Sequence, residues 1–167
     1  RVVHAEQIPM TVARAYTTAM SGRPGVVMIN IPVDVQAKEI SAEDMNRDYR
    51  LKEHAIVDRP RGSRAAVERA AKLLVDAEHP MIVCGVGAVV SDACEEVKEL
   101  AVLLDAPVGT AAMGQGIIGG NDPYYAGRVG GWGNKCANEL CWRSDVVITL
   151  GNRFDEDETG AWEMGDT

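Results

Sequence analysis

Apolar runs that end abruptly at glycine are the clearest pattern along this chain. Residues 146–150 (VVITL) form such a run and lead into the polar turn Gly151-Asn152-Arg153-Phe154-Asp155, and residues 81–84 end in the same way at Gly85-Val86-Gly87. Continuous apolar runs are typical of buried strands in parallel sheets. Ligands of such sheets collect beyond the carboxyl ends of the strands. The two glycine-rich strand ends therefore predict a crevice of nucleotide size.

Helical spacing alternates with strand patterns through the second part of the chain. Ser63 can cap a helix that carries Val67, Ala70, Ala71 and Leu74, and Asp92 with Glu95 suggests a capping box for a helix that reaches Leu104. A further helix is predicted over 134–143, and strands over 81–84, 107–110, 124–129 and 145–150. Such alternation implies parallel pairing with right-handed crossovers. The predicted fold class is α/β, a doubly wound parallel Rossmann-like sheet that is truncated.

The first part of the chain has a different organisation. Apolar positions from Ile8 to Ala19 predict a helix that stops at the breaker cluster 21–25, and the β-branched run 26–31, closed by Pro32, predicts a buried strand. Residues 34–61 carry mixed charge without periodicity, which predicts a linker running over the surface. Because residues 158–167 contain no element that would finish a sheet, we expect a fragment cut at both ends.

Composition and charge narrow the classes of partner. The formal net charge is −8, from 25 acidic and 17 basic residues, and this sign disfavours nucleic acid and membrane surfaces as partners. No apolar run approaches the roughly 20 residues of a membrane span, and residues 1–4 lack an apolar signal core. The expected location is cytoplasmic. We interpret the four cysteines as reduced small apolar residues, and the three scattered histidines predict no metal site.

Several motifs leave two interpretations open. Gly85 to Val90 contains two-thirds of a dinucleotide fingerprint, but it also fits a tight strand-to-helix turn. The loop Gly130-Gly131-Trp132-Gly133-Asn134 precedes a helix, so its N–H groups could line an anion or a cofactor ring, or it could be a flexible surface loop. Arg153 could pair with a phosphate or with the neighbouring acids. Residues 155–158 are all acidic, which favours a solvated turn over a metal site.

These residues, in this order, resemble thiamine-diphosphate-dependent enzymes of the acetolactate synthase type. Residues 21–36 (SGRPGVVMINIPVDVQ) are similar to the closing strand of the family's pyrimidine-binding domain and the start of its linker. The chain from about Arg61 is similar to the first two-thirds of the central domain. The matching features there are Gly85-Val86-Gly87, Ala106-Pro107-Val108, Gly114-Gln115-Gly116, Ala137-Asn138 and residues 151–155.

The resemblance implies domain bounds of 1–36, 37–61 and 62–167 for the pyrimidine-binding remnant, the linker and the incomplete central domain. It also implies strand order 3-2-1-4-5-6, with the strands at 81 and 145 as neighbours at the switch point. In acetolactate synthases that crevice holds FAD as a structural cofactor, and in relatives it holds ADP or nothing. The positions carried over as cofactor contacts are Gly85, Val86, Gly87, Thr110, Val129, Gly130, Gly131, Gly151, Asn152, Arg153 and Asp155.

Two departures from the family pattern bear on FAD. The FAD-binding members usually have arginine at the position of Asp157 and histidine at that of Trp132. An anion in place of a cation near a diphosphate is unfavourable by on the order of 1 kcal/mol or more, which argues against FAD. Thiamine diphosphate and Mg would bind to the parent enzyme outside this chain. The resemblance places the catalytic glutamate before Arg1 and the Gly-Asp-Gly motif beyond Thr167, so no catalytic residue is assigned here.

The resemblance implies a parent enzyme that decarboxylates a 2-oxo acid and transfers the carbanion to an acceptor, as a homodimer or homotetramer. This chain alone would be inactive. The alternative is a non-catalytic nucleotide-binding module with the same central-domain fold. A regulatory or structural relative that has lost catalysis is a third hypothesis. The apparent pyrimidine-domain remnant favours the enzyme, since a free-standing module would not carry it.

Overall fold

The chain forms two compact units, Arg1–Arg61 and Gly62–Thr167. The structure is a computed structural model that describes residues 1–45, 47 and 61–159. In the first unit a 3-10 turn, Ala5–Gln7, leads into helix α1 (Ile8–Met20), followed by the short helices α2 (Val33–Gln36) and α3 (Ala42–Met45). Val2, Ala5 and Val35 form a small core in this unit. The helix predicted from Ile8 onward is present.

The predicted strand at 26–31 is wrong. The structure assigns no strand to these residues, and Val26 and Met28 are exposed. Ile29 and Ile31 pack against the core around Val35, and the Asn30 carbonyl accepts a hydrogen bond from Val2 N–H at 2.8 Å. A β-branched run forms a strand when a neighbouring strand supplies a ladder, and the described part of this unit contains no strand.

The helices α2 and α3 fall across the start of the predicted linker. The side chain of Val35 is buried, so the chain is structured beyond Asp34, where the apolar pattern had dissolved. The remainder of the predicted linker, apart from Arg47 and Arg61, lies outside the described residues. The domain bounds 1–36, 37–61 and 62–167 stay a prediction.

The second unit is a four-stranded sheet with helices on both faces. Its strand order is β3-β2-β1-β4 and every neighbouring pair is parallel, which confirms the predicted α/β fold. The elements in chain order are α4 (Arg64–Val75), β1 (Pro80–Cys84), α5 (Val86–Val90), α6 (Cys94–Leu104), β2 (Val108–Thr110), a 3-10 turn (Ala112–Gly114), β3 (Tyr125–Arg128), α7 (Lys135–Arg143) and β4 (Val146–Leu150).

Strand β1 is apolar throughout because it is covered on both faces. Ile82 and Cys84 belong to one core with residues of α5 and α6, while Met81 and Val83 belong to another with Ala137 and Cys141 of α7. Successive side chains of a strand point to opposite faces, so two covered faces require a continuous apolar run. Burial, with Cys94 adding to it, raises the pKa of Cys84 to about 11, as befits a cysteine that packs as an apolar residue.

The tight strand-to-helix turn, one of the two interpretations of Gly85 to Val90, is present, since Gly85 follows β1 and is the N-cap of the short helix α5. Two details of the other predicted helices need correction. The predicted Asp92–Glu95 capping box is wrong, since the N-cap of α6 is Ala93, without a side-chain hydrogen bond, and Asp92 has φ +56°. Ser63 is the N-cap of α4, but its hydroxyl makes no capping bond either. Of the residues of α4, Leu74 is buried, whereas Val67 is 59% exposed.

Candidate functional site

The carboxyl ends of β1 and β4 lie side by side, because the two strands are neighbours in the sheet, as predicted. The register pairs Cys84 with Leu150, so the segments that follow, starting at Gly85 and Gly151, lie side by side. This adjacency follows from the change of direction in the strand order, because β2 and β3 lie on one side of β1 and β4 on the other.

Close approach of the two segments explains their glycines. Gly85 N–H donates to the Leu150 carbonyl and Gly87 N–H to the Gly151 carbonyl, both at 2.9 Å. A Cβ on Gly85 would lie 2.5 Å from the Gly151 oxygen, and one on Gly87 would lie 2.7 Å from the Gly151 Cα. These glycines therefore admit one another's backbone. The crevice hypothesis instead explains the lack of side chains as space for a ligand.

The Gly130–Gly131 loop is fixed by α7 and by the acidic turn. The Asn138 side chain bonds both backbone groups of Gly130, accepting from its N–H and donating to its carbonyl, each at 2.9 Å. Gly131 N–H donates to the Asp157 carbonyl at 2.6 Å. Gly130 has φ +101°, and a side chain there would collide with the backbone of residues 157–158. Two of the loop N–H groups proposed to line an anion or a cofactor, those of Gly130 and Gly131, therefore have protein partners.

Two ion pairs connect the arginines of this edge to the acidic turn. Arg128, the last residue of β3, pairs with Asp157 at 2.5 Å, and their side chains are 23% and 36% exposed. Arg153 pairs with Asp155 at 2.7 Å, which is the second of the two predicted roles for this arginine. The pair with Arg153, followed by the bond from Glu158 N–H, lowers the pKa of Asp155. Burial, with Asp155 adding to it, raises the pKa of Glu158.

The predicted acidic turn is present, with Glu156 exposed and its other three acidic residues half-buried. The Asp155 carboxylate accepts a hydrogen bond from Glu158 N–H at 3.1 Å, and the Asp155 carbonyl accepts one from Thr159 N–H. Together with the ion pair from Asp157, these bonds fold residues 155–159 back onto the sheet edge. Among the residues that the structure describes, no group of three or more His, Cys, Asp or Glu could hold a metal ion.

Some polar atoms at this edge have no partner within the described part of the chain. They are Thr110 Oγ1, Arg128 Nε and Glu158 Oε2, all buried. Thr110 ends β2 opposite Arg128 in the register, and its side chain is fully buried. Buried polar atoms of this kind ordinarily bind ordered water or a small ligand. Of the predicted contact residues, Thr110 is thus the one with a buried side-chain polar atom that has no partner among the described residues.

The other predicted positions have varied surroundings. The Val129 side chain packs into the core with Met81 and Ala137, so it does not face the edge. Val86 is half-buried at the start of α5, and the Asn152 side chain accepts a hydrogen bond from Phe154 N–H at 2.9 Å. The indole of Trp132 is 80% exposed. That a cofactor contacts these positions stays a prediction.

Sequence reasoning missed Arg128 and Asn138 as residues that organise the site. Arg128 lay inside a predicted strand, and its charge at the end of an otherwise buried strand was the available signal. Its partner Asp157 is 29 residues away along the chain, so no local pattern could pair them. Asn138 was noticed only as part of a family motif, and its contact with Gly130 depends on how α7 packs beside β3.

An open cleft of about 560 Å³ adjoins the glycine contact on the α5–α6 face of the sheet. Gly87 and Gly151 form one end of it, and its walls are mostly apolar, with Val97, Leu100 and Leu150 among them. Glu96 contributes a carboxylate. A cleft lined in this way offers no cation to a phosphate.

Comparison with known proteins identifies the family. The profile described as "Thiamine pyrophosphate enzyme, central domain" matches residues 67–166. The chain is 37% identical over 155 residues to the probable acetolactate synthase large subunit of Methanocaldococcus jannaschii, which covers 93% of this chain and 26% of that protein. It is 35% identical over 163 residues to glyoxylate carboligase of Escherichia coli O157:H7, covering 97% of this chain and 27% of that protein.

A third relative is sulfoacetaldehyde acetyltransferase of Alcaligenes xylosoxydans, 38% identical over 141 residues, or 84% of this chain and 22% of that protein. The chain thus spans about a quarter of the length of these relatives. The resemblance inferred from the sequence is confirmed, and the parallel sheet agrees with it. The chain therefore belongs to the thiamine pyrophosphate enzymes of the acetolactate synthase type, and residues 67–166 match their central domain.

Proposed function

We propose that the protein containing this chain is a thiamine-diphosphate-dependent carboligase. It would decarboxylate a 2-oxo acid and join the remaining carbanion to an acceptor, as the resemblance to acetolactate synthases implies. The observation that carries the proposal is 35–37% identity over more than nine-tenths of the chain to two such enzymes. Thiamine diphosphate, with Mg, would supply the stabilisation of the carbanion when bound.

In this proposal the chain contributes structure rather than catalytic groups. The paired segments after β1 and β4 and the loop held by Asn138 form a rigid edge to the central sheet. By resemblance to the family, Mg and thiamine diphosphate would bind to parts of the protein outside residues 1–167. We accordingly expect residues 1–167 alone to be inactive.

The proposal extends to location and assembly. All four cysteines carry free thiols, which suits a reducing compartment such as the cytoplasm. No helix in the described residues is long and apolar enough to cross a membrane. By resemblance to the family, the protein would be a homodimer or homotetramer.

The test is cofactor-dependent turnover by the protein at its natural length. After removal of thiamine diphosphate and Mg, we expect the protein to release no carbon dioxide from pyruvate or glyoxylate, and to regain release when both are restored. Mass spectrometry should then detect a carboligation product. Residues 1–167 serve as the inactive control. Failure of the complete, folded protein to consume any 2-oxo acid in a thiamine-diphosphate-dependent way would overturn the proposal and favour the non-catalytic module.

A further inference from the structure

The cations at the carboxyl edge of the sheet are neutralised by the chain itself. Arg128 and Arg153 are the arginines at this edge in the described residues, and each pairs with a carboxylate of the turn at 155–158. The Arg128–Asp157 pair is partly buried, so water screens it less than it would an exposed pair. A phosphate arriving at this edge would have to displace a carboxylate from a guanidinium group.

Three glycine N–H groups at the edge also have partners within the chain. Phosphates at such a position are bound by backbone N–H groups together with a cationic side chain. Here Gly131 N–H donates to the Asp157 carbonyl, Gly130 N–H to the Asn138 side-chain oxygen, and Gly87 N–H to the Gly151 carbonyl. The first two belong to the loop whose N–H groups the sequence pattern indicated as candidates for binding an anion.

The turn also fills the space that the glycine loop leaves open. The backbone of residues 157–158 lies where a side chain on Gly130 would project, and the Asp157 carboxylate lies beside Gly131. The absence of side chains from the loop therefore accommodates this turn. A ligand on the same side of the loop would have to move the turn and break the Arg128–Asp157 pair.

We propose that the acidic turn at residues 155–158 takes the place of a nucleotide's phosphates in this chain, so that the crevice of its central domain binds neither FAD nor ADP. The Asp157 carboxylate stands where a phosphate would meet Arg128, and the Asp157 backbone carbonyl accepts the hydrogen bond from Gly131 N–H. The Asp155 carboxylate likewise stands where a phosphate would meet Arg153. The inference rests on family membership and on these contacts, and it holds whichever substrate the parent enzyme uses.

The experiment compares nucleotide binding in the wild-type protein at full natural length and in Asp157→Asn. The substitution keeps the size of the side chain but frees the Arg128 guanidinium from its carboxylate. Glu139→Gln is the matched control, because it removes the carboxylate of another arginine pair, Arg143–Glu139 at 2.6 Å, on the exposed side of α7. Nucleotide released on denaturation is identified by chromatography and flavin absorbance. FAD and ADP are then titrated by calorimetry.

We expect the wild-type protein to purify colourless, to release no FAD or ADP, and to show no saturable binding of either. Asp157→Asn should show saturable ADP binding, with a dissociation constant at least about tenfold below the highest ADP concentration at which wild type shows none, which corresponds to roughly 1.4 kcal/mol. Glu139→Gln should behave like wild type.

Stoichiometric FAD or ADP in the wild-type protein would overturn the inference, and so would a gain in Asp157→Asn no larger than that in Glu139→Gln. The wild-type titration needs no variant, so the inference is tested even if Asp157→Asn fails to fold. Carbon dioxide release is measured separately on the same preparation. A failure of the proposed reaction is therefore distinguishable from a failure of this inference.

Discussion

Gly151 has φ +60° and lies directly against the backbone of Gly87 and Ala88. Two separate physical effects exclude a side chain at this position. Non-glycine residues are strained at this backbone angle, and a Cβ would meet atoms that belong to hydrogen-bonded main chain. The end of β4 can thus lie against the start of α5 only because this residue is glycine.

We expect Gly151→Ala to lower the free energy of unfolding by about 2–4 kcal/mol, the sum of backbone strain and overpacking. Gly116→Ala is the control, since Gly116 also has positive φ but has open space where its Cβ would stand, so it tests strain alone. Denaturant unfolding of both variants would measure the difference. Equal losses in the two variants would show that the contact with Gly87 is not tight.

At the scale of elements, Asp145 connects the start of β4 to the segment entering β1. Its carboxylate accepts hydrogen bonds from the backbone N–H groups of Glu78 at 2.7 Å and His79 at 2.9 Å. The bond from Glu78, followed by that from His79, lowers the pKa of Asp145, although burial acts in the opposite direction. The amino ends of the neighbouring strands β1 and β4 are therefore joined by an ionised side chain.

A carboxyl whose pKa is lowered by folding contributes stability above its unfolded pKa, about 4, and loses it as the pH falls through the folded value. We therefore expect Asp145→Ala to melt at a lower temperature than wild type at pH 7. The difference in melting temperature between the two proteins should narrow as the pH falls below about 4, because the Asp145 carboxylate of the wild type becomes protonated. Thermal unfolding of both proteins across this range checks the prediction. A gap that does not change with pH would show that the charge of Asp145 is not involved.

At the scale of the whole molecule, the chain divides into the units Arg1–Arg61 and Gly62–Thr167. Residues 34–61 have no apolar periodicity, whereas residues 63–150 contain the sheet and its covering helices. We expect trypsin to cut the full-length protein first at the basic residues between 47 and 61, before it cuts within 63–150. Mass spectrometry of the earliest fragments would identify the site. Early cleavage inside the sheet unit would contradict this division.

Local patterns predicted most of the sheet unit correctly, because its signals are carried by neighbouring residues. The apolar run of β1 indicates that both faces of this strand are covered. The helical spacing of apolar residues before Leu104 indicates which side of α6 is buried. The same reasoning failed at 26–31, where strand formation depends on a partner, and at Asp92, where a capping motif was present without the matching backbone geometry.

The sequence by itself determined the α/β class, the parallel strands and the family, since periodicity and ordered motifs are properties of the chain alone. Only the tertiary structure decided how the crevice is used. Gly151 meets Gly87, Asn138 meets Gly130, and Arg128 meets Asp157 from 29 residues away. A glycine leaves room for a ligand or for another backbone segment equally well. An acidic side chain repels a phosphate or forms an ion pair with an arginine, according to which group lies beside it. Which of these occurs depends on distances that arise only after the strands have paired.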